Sequence, residues 1–165
     1  ELCAGKGWKR IVVKPTISAG SFSTANFDLE DPNAESFFRA LVLEREAMVQ
    51  PYIASVEGYG ERSIISINGE LTHAIRKSPR FGTAPEAASD AQPIADDERA
   101  LAMRALSTVH GHLLYARVDM ARDENGKPRI MELELTEPSL FLAQSEMALA
   151  KFAKAISLKV AALTS

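Results

Sequence analysis

Hydrophobic residues recur with two periods along the chain, and each change of period marks a change of element. The apolar, β-branched run from Trp8 to Lys14 stops at Pro15 and predicts a strand. Residues 16–24 are rich in Ser, Gly and Ala and predict a loop. Asp31 before Pro32 reads as a helix cap with proline in the first turn, and Phe37, Phe38, Leu41 and Val42 follow at helical spacing. The helix is expected to end before Met48, where a short strand runs to Ile53; Pro51 interrupts it, so one of its edges is not fully paired.

Two strand-like runs, 62–67 and 71–77, flank Asn68-Gly69-Glu70 and predict a hairpin. Residues 79–93 hold three prolines and little to bury, which predicts a long loop of the kind that forms lids. A helix capped by Asp96 or Asp97 follows, with Leu101, Ala102, Ala105, Leu106 and Val109 at helical spacing and a stop at Gly111. A second hairpin joins 113–121 to 129–135 around Asn125-Gly126 and ends at Pro138. Residues 140–163 predict one long amphipathic helix with Leu149, Phe152, Ala153, Ile156, Val160 and Leu163 on its apolar stripe. Helices mixed with two antiparallel hairpins give an α+β class.

The second hairpin carries the most chemical information. With Asn125 and Gly126 as the central turn residues, Asp119 stands opposite Glu132 and Arg117 opposite Glu134. Residues two apart share a face, so all four project from one side, and Val118, Met120, Met131, Leu133 and Leu135 form the core side. Like charges facing each other on a sheet repel. Three carboxylates around one arginine are relieved by a hard divalent cation, and an oxygen-only donor set suits Mg²⁺ or Mn²⁺. A one-residue bulge would shift this register.

The first hairpin supplies cations. Whether Asn68-Gly69 or Gly69-Glu70 is central, Arg62 and Lys77 are expected on the same face, a pair that favours an anion between them. Lys14 ends the first strand and is followed by a loop containing Ser18, Gly20 and Ser21, whose backbone N–H groups can turn towards phosphate. The chain contains neither a Walker A pattern nor Gly-x-Gly-x-x-Gly. Carboxylates, cations and a Ser/Gly loop together describe a site for a metal-bound polyphosphate.

Composition narrows the setting without choosing the chemistry. The 165 residues are 46% hydrophobic and 25% charged, which excludes a wholly disordered or collagen-like chain. Nineteen basic against 22 acidic residues give a net charge of -3, so no general nucleic-acid surface or anionic-membrane surface is expected. Cys3 is the only cysteine, which rules out an intrachain disulfide. No apolar run is long enough to form a membrane-spanning helix, and a cytoplasmic setting is the default expectation.

Val12-Val13-Lys14-Pro15, Met48-Val49-Gln50-Pro51-Tyr52-Ile53, Gly60-Glu61-Arg62-Ser63, Arg117-Val118-Asp119 and Met131-Glu132-Leu133-Glu134 occur in that order. This series resembles the ATP-grasp superfamily, in particular its glutathione synthetase-like and D-alanine–D-alanine ligase-like branch. The resemblance implies an ATP-grasp fold of two α+β lobes with antiparallel sheets. Residues 1–49 would be part of the small lobe, and residues 50–165 the hinge and the C-terminal lobe.

By resemblance, Lys14 holds the α- and β-phosphates, and Gln50, Tyr52 and Ile53 contact adenine at the hinge. Glu57 or Glu61 takes the ribose hydroxyls. Arg62 and Lys77 reach the phosphates. Arg117 is the catalytic arginine that steadies the transferred phosphoryl group, and Asp119, Glu132 and Glu134 ligate the metal. Many relatives have Asn where Glu134 stands.

The resemblance implies an ATP- and Mg²⁺-dependent ligase that joins a small-molecule carboxylate to an amine or thiol through an acyl phosphate, forming C–N bonds in the amine case. The alternative is a nucleotide-binding regulatory module without turnover. Relatives carry an N-terminal substrate domain and a further phosphate-binding lysine upstream of Lys14. The sequence, which opens at Glu1, is accordingly expected to be a fragment, inactive alone, whose partner is the missing N-terminal domain of the same polypeptide. Homo-oligomerisation stays open.

Overall fold

The computed structural model describes residues 2–17, 22–78 and 87–164. Two compact units divide the chain, Glu1–Tyr52 and Ile53–Ser165. In the first, α1 (Leu2–Gly5) precedes β1 (Arg10–Pro15), β2 (Ala25–Asp28), α2 (Pro32–Glu44) and β3 (Ala47–Pro51). The strands form an antiparallel sheet of order β2-β1-β3. Alternation along β1 turns Ile11 and Val13 onto Ala34 and Leu41 of α2, with Phe27 and Phe37 packed ring to ring at 5.4 Å.

Asp31 caps α2 as expected, accepting from the Asn33 N–H at 2.8 Å, and β3 is an edge strand, which tolerates Pro51. Strand β2 was not expected from the sequence, because its residues alternate too weakly. Val42, expected inside, is exposed.

The second unit contains α3 (Ser55–Gly58), β4 (Glu61–Ile67), β5 (Glu70–Lys77), α4 (Asp96–Leu106), β6 (Tyr115–Arg122), β7 (Pro128–Glu134) and α5 (Glu146–Leu163). Its sheet is fully antiparallel, of order β5-β4-β6-β7. Helix α4 covers Ile64, Ala74, Val118 and Met120 on one face; α5 covers Ile65, Ile67 and Ile75 on the other. With both faces covered, β4 is buried from Arg62 to Ile67, and its sequence Ser63-Ile64-Ile65-Ser66-Ile67 does not alternate. No helix of the described residues is long and apolar enough to cross a membrane.

Helix ends differ from expectation in instructive ways. Asp96 and Asp97 lie inside the first turn of α4; the cap is Ala95, whose N–H is taken by the Glu98 carboxylate at 3.2 Å. Helix α4 ends at Leu106, before the Gly111 stop. Helix α5 starts at Glu146, capped by Ser145, and residues 140–145 are a separate segment in which Phe141 adopts φ 48° and Leu142–Gln144 form a short 3₁₀ turn. The buried side of α5 is Ala148 and Ala155 with Phe152 alongside, whereas Leu149, Ile156, Val160 and Leu163 are exposed. Small residues let the helix approach the sheet closely, which periodicity alone could not reveal.

Residues 87–93, expected as loop, run antiparallel along β5. Gln92 N donates to Ala74 O at 2.7 Å and Ser89 N to Arg76 O at 3.0 Å. The remainder of the expected lid, 79–86, lies outside the described residues.

On the α4 face a buried ion pair fastens this segment down. Arg62 donates to both Glu98 oxygens at 3.2 and 3.1 Å, to Pro93 O at 2.7 Å and to the Gln92 side chain. The two side chains are 8% and 4% exposed. Glu98→Ala would leave the guanidinium buried without its carboxylate and is expected to cost about 3–5 kcal/mol in urea denaturation. Glu35→Ala, which breaks an exposed pair with Arg39, is expected to cost no more than about 0.5 kcal/mol.

Candidate metal centre and its cation cluster

Two hairpin irregularities decide which side chains meet. In the β6–β7 hairpin the loop is Glu124-Asn125-Gly126, closed by Asp123 N to Lys127 O at 2.9 Å, with Gly126 at φ 73°. This three-residue loop shifts the register by one from the expected two-residue turn, so Met120 pairs with Ile130. A bulge at Met131 shifts it back, and Asp119 faces Glu132 and Arg117 faces Glu134 as expected.

In the β4–β5 hairpin the turn is Asn68-Gly69, both residues at positive φ, and a single bulge at Thr72 displaces everything beyond it. Arg62 therefore pairs with Arg76 and Glu61 with Lys77. A one-residue slip exchanges the faces. The expected same-face pair of Arg62 and Lys77 is corrected: Lys77 joins the carboxylates, and Arg62 points to α4. The two hairpins are neighbours in one sheet, joined by β4–β6 pairing that sets Ser63 opposite Asp119.

Asp119 sits at the centre, 1% exposed. Its Oδ1 accepts from Ser63 Oγ at 2.6 Å and Arg117 Nε at 2.9 Å; Oδ2 accepts from Lys77 Nζ at 2.6 Å and Arg117 Nη2 at 2.9 Å. Lys77 also pairs with Glu61 at 3.0 Å, and Arg117 with Glu134. Burial alone would raise the Asp119 pKa, but the Arg117 hydrogen bonds and the Lys77 charge hold it below the usual carboxylate range. Lys77 is likewise pulled down by burial and more than restored by Asp119 and Glu61. Glu134 is pushed up by burial, and the neighbouring Glu132 and Asp119 add to this against the pull of Arg117.

The donor set fits a hard cation. One oxygen from each of Asp119, Glu132 and Glu134 lies within 4.8 Å of the others. Opposite ligands of a six-coordinate Mg²⁺ stand about 4.2 Å apart and neighbouring ones about 3 Å, so the three oxygens are close enough to share one ion after small side-chain movements. Glu61, Asp119, Glu132 and Glu134 against Lys77 and Arg117 leave two formal negative charges uncompensated, the charge of a divalent ion. Glu132 is exposed, so the ion could keep water or phosphate oxygens.

The other expected site residues are distributed as follows. Lys14 and Gln50 project from the same face of the first unit's sheet, opposite α2, since Val12 pairs with Gln50 and Lys14 with Met48. Tyr52 lies under the Arg10 guanidinium at 4.0 Å. Ile53 is buried at the start of the second unit and Glu57 is exposed on α3. Ser18, Gly20 and Ser21 lie outside the described residues. Ser63 was missed as a site residue. Its signal was legible: a serine inside an apolar strand buried on both faces needs a hydrogen-bond partner.

A three-stranded antiparallel unit followed by a four-stranded one, whose open face gathers carboxylates with Lys and Arg, is the ATP-grasp fold, and the resemblance read from the sequence holds. Cycloserine biosynthesis protein DcsG of Streptomyces lavendulae is 32% identical over 163 residues, covering 90% of this chain and 54% of that protein. The crystal structure of D-cycloserine synthetase DcsG superposes with a TM-score of 0.79 at 29% identity, over 96% of this chain and 58% of that one. At 19% identity the fold is shared with the ATP-grasp ligase PsnB in complex with minimal precursor, Mg and ADP (TM-score 0.66, 94% and 48%). It is also shared with D-alanine–D-alanine ligase from Bacillus anthracis (TM-score 0.63, 92% and 53%). The chain thus spans about half the length of the relatives it matches. No protein-family model matches it.

Asp119→Asn removes the charge that compensates two buried cations and is expected to cost about 3–5 kcal/mol, read from the urea midpoint. Glu134 gives a pH signature of opposite sign. Its folded-state pKa is raised above 4.5, so the folded form holds its proton longer than the unfolded chain, and stability falls as pH rises from about 4.5 through the raised value. Glu134→Gln should flatten that fall, measured as the difference in unfolding free energy between the two proteins across pH 4–7.

Proposed function

We propose that this chain is the ATP-binding part of a Mg²⁺- or Mn²⁺-dependent ligase that joins a carboxylate to an amine, or to a thiol, through an acyl phosphate. The observation that carries the reading is the single sheet face on which Asp119, Glu132 and Glu134 cluster beside Lys77 and Arg117, within an ATP-grasp fold. The 32% identity to DcsG supports it.

The roles follow the resemblance. Asp119, Glu132 and Glu134 hold the divalent ion, which when bound neutralises charge on the polyphosphate. Lys77 reaches the phosphates and Arg117 steadies the phosphoryl group in transfer, each from a position where burial strengthens its field. Lys14, with Ser18, Gly20 and Ser21, serves the α- and β-phosphates. Gln50, Tyr52 and Ile53 serve adenine. Glu57, exposed on α3, or Glu61, paired with Lys77, serves the ribose hydroxyls. Arg62 leaves the set, because Glu98 holds it on the other face.

In the reaction a carboxylate oxygen of the substrate bonds to the γ-phosphorus as the bond to ADP breaks. The incoming nucleophile then displaces phosphate from the acyl carbon. No protein nucleophile is consumed.

Mg·ATP at 100 times its Kd should stabilise the fold by about 2.7 kcal/mol, read as a rise in melting temperature. Glu132→Ala should lose that rise while Arg39→Ala keeps it. A wild-type chain that gains nothing from Mg·ATP would overturn the nucleotide reading. Release of ADP dependent on both an acid and an amine separates a ligase from a module that only binds.

A further inference from the structure

We propose that Lys77 is a latch on the metal centre: it must leave Asp119 before a divalent cation can take that carboxylate, so cation and polyphosphate bind as a coupled pair. The inference rests on the nucleotide reading and adds how that site is controlled.

An ionised carboxylate offers about four acceptor positions. On Asp119 all four are engaged by protein donors, namely Ser63 Oγ, Arg117 Nε, Arg117 Nη2 and Lys77 Nζ. While they hold, Asp119 has no lone pair to give an ion. One donor must therefore leave, and the three side chains differ in how firmly they are fixed.

Ser63 has no exposed surface, and β4–β6 pairing holds its backbone opposite Asp119. Arg117 grips both oxygens of Asp119, pairs with Glu134, and donates to Ser139 O at 3.4 Å. Lys77 makes one contact to Asp119 from the last residue of β5, at the end of a four-carbon stem. Its second carboxylate, Glu61, gives it somewhere to turn. Lys77 is the donor that yields.

The exchange is unfavourable for either ligand alone. A cation arriving alone drives the ammonium off a buried carboxylate without supplying a new anion. A polyphosphate arriving alone meets Asp119, Glu132 and Glu134. Arriving together, the cation takes the released carboxylate and the polyphosphate takes the released ammonium. Couplings of this kind typically change affinity by about 5- to 150-fold.

The test measures Mn²⁺ binding alone by calorimetry. Lys77→Met is expected to bind Mn²⁺ at least about tenfold more tightly than wild type. Arg76→Met is the charge-matched control: it removes one positive charge from the neighbouring position, which points to the opposite face, and should change the affinity by less than about threefold. Equal Mn²⁺ affinity in wild type and Lys77→Met, or an equal gain in Arg76→Met, overturns the latch.

Wild-type protein gives an independent readout through the ¹⁵N signal of the Lys77 ammonium. The signal should persist with Mg²⁺ alone and move when Mg²⁺ and inorganic tripolyphosphate are added together; movement with Mg²⁺ alone overturns the proposal. Should neither Mn²⁺ nor Mn·ATP bind wild type or Lys77→Met, the nucleotide reading itself falls and the latch falls with it.

Discussion

A carboxylate that is 1% exposed would be driven to hold its proton, and the second unit is arranged so that Asp119 does not. Three strands contribute to that arrangement: β4 brings Ser63, β5 brings Lys77, and β6 brings both Arg117 and Asp119 itself. Each donor depends on strand register. The bulges at Thr72 and Met131 are as much part of the centre as the charged groups, because each selects which alternate residues reach it. Losing either bulge would shift the register beyond it by one residue and turn charged side chains, Lys77 in the one case and Glu132 and Glu134 in the other, towards the α4 face.

The two faces of that sheet divide the work. Under α4, apolar packing is continuous, and the Arg62–Glu98 pair closes the end of the layer nearest β4's first residues. On the other face α5 covers only Ile65, Ile67 and Ile75, and the rest is left to the charged cluster. Chemistry is thereby placed on rigid strands, with a hydrophobic layer behind it. Such a layer fixes positions but adds no charge of its own, so the cluster's balance is set by its own members.

Much of this was legible in the sequence, and the failures have identifiable causes. The opposition of Asp119 to Glu132 and of Arg117 to Glu134 came out right although two departures from ideal geometry lay between the turn and those residues; a longer loop and a bulge shift register in opposite senses. The first hairpin has only the bulge, and there the same reasoning put Arg62 on the wrong face. Bulges depend on how neighbouring strands pack, which a single strand's pattern does not record. Similarly, α5 shows a stripe of leucine, isoleucine and valine, yet its alanines face the sheet. Side-chain size at a helix–sheet contact decided that orientation, and periodicity measures only spacing. Ser63 was the reverse case, a polar residue whose burial implied a partner.

The segment that runs beside β5 has a wider effect. Outermost strands expose a row of amides and carbonyls on which another sheet can grow. Residues 87–92 occupy part of that row on the β5 side, through Ala74 and Arg76. At the other rim, β7 opens with Pro128 and carries Arg129, Glu132 and Glu134, so a stranger's strand would meet a missing donor and a line of charges. The acidic residues of the charged cluster therefore have a second effect: they discourage one molecule's sheet from fusing with the next.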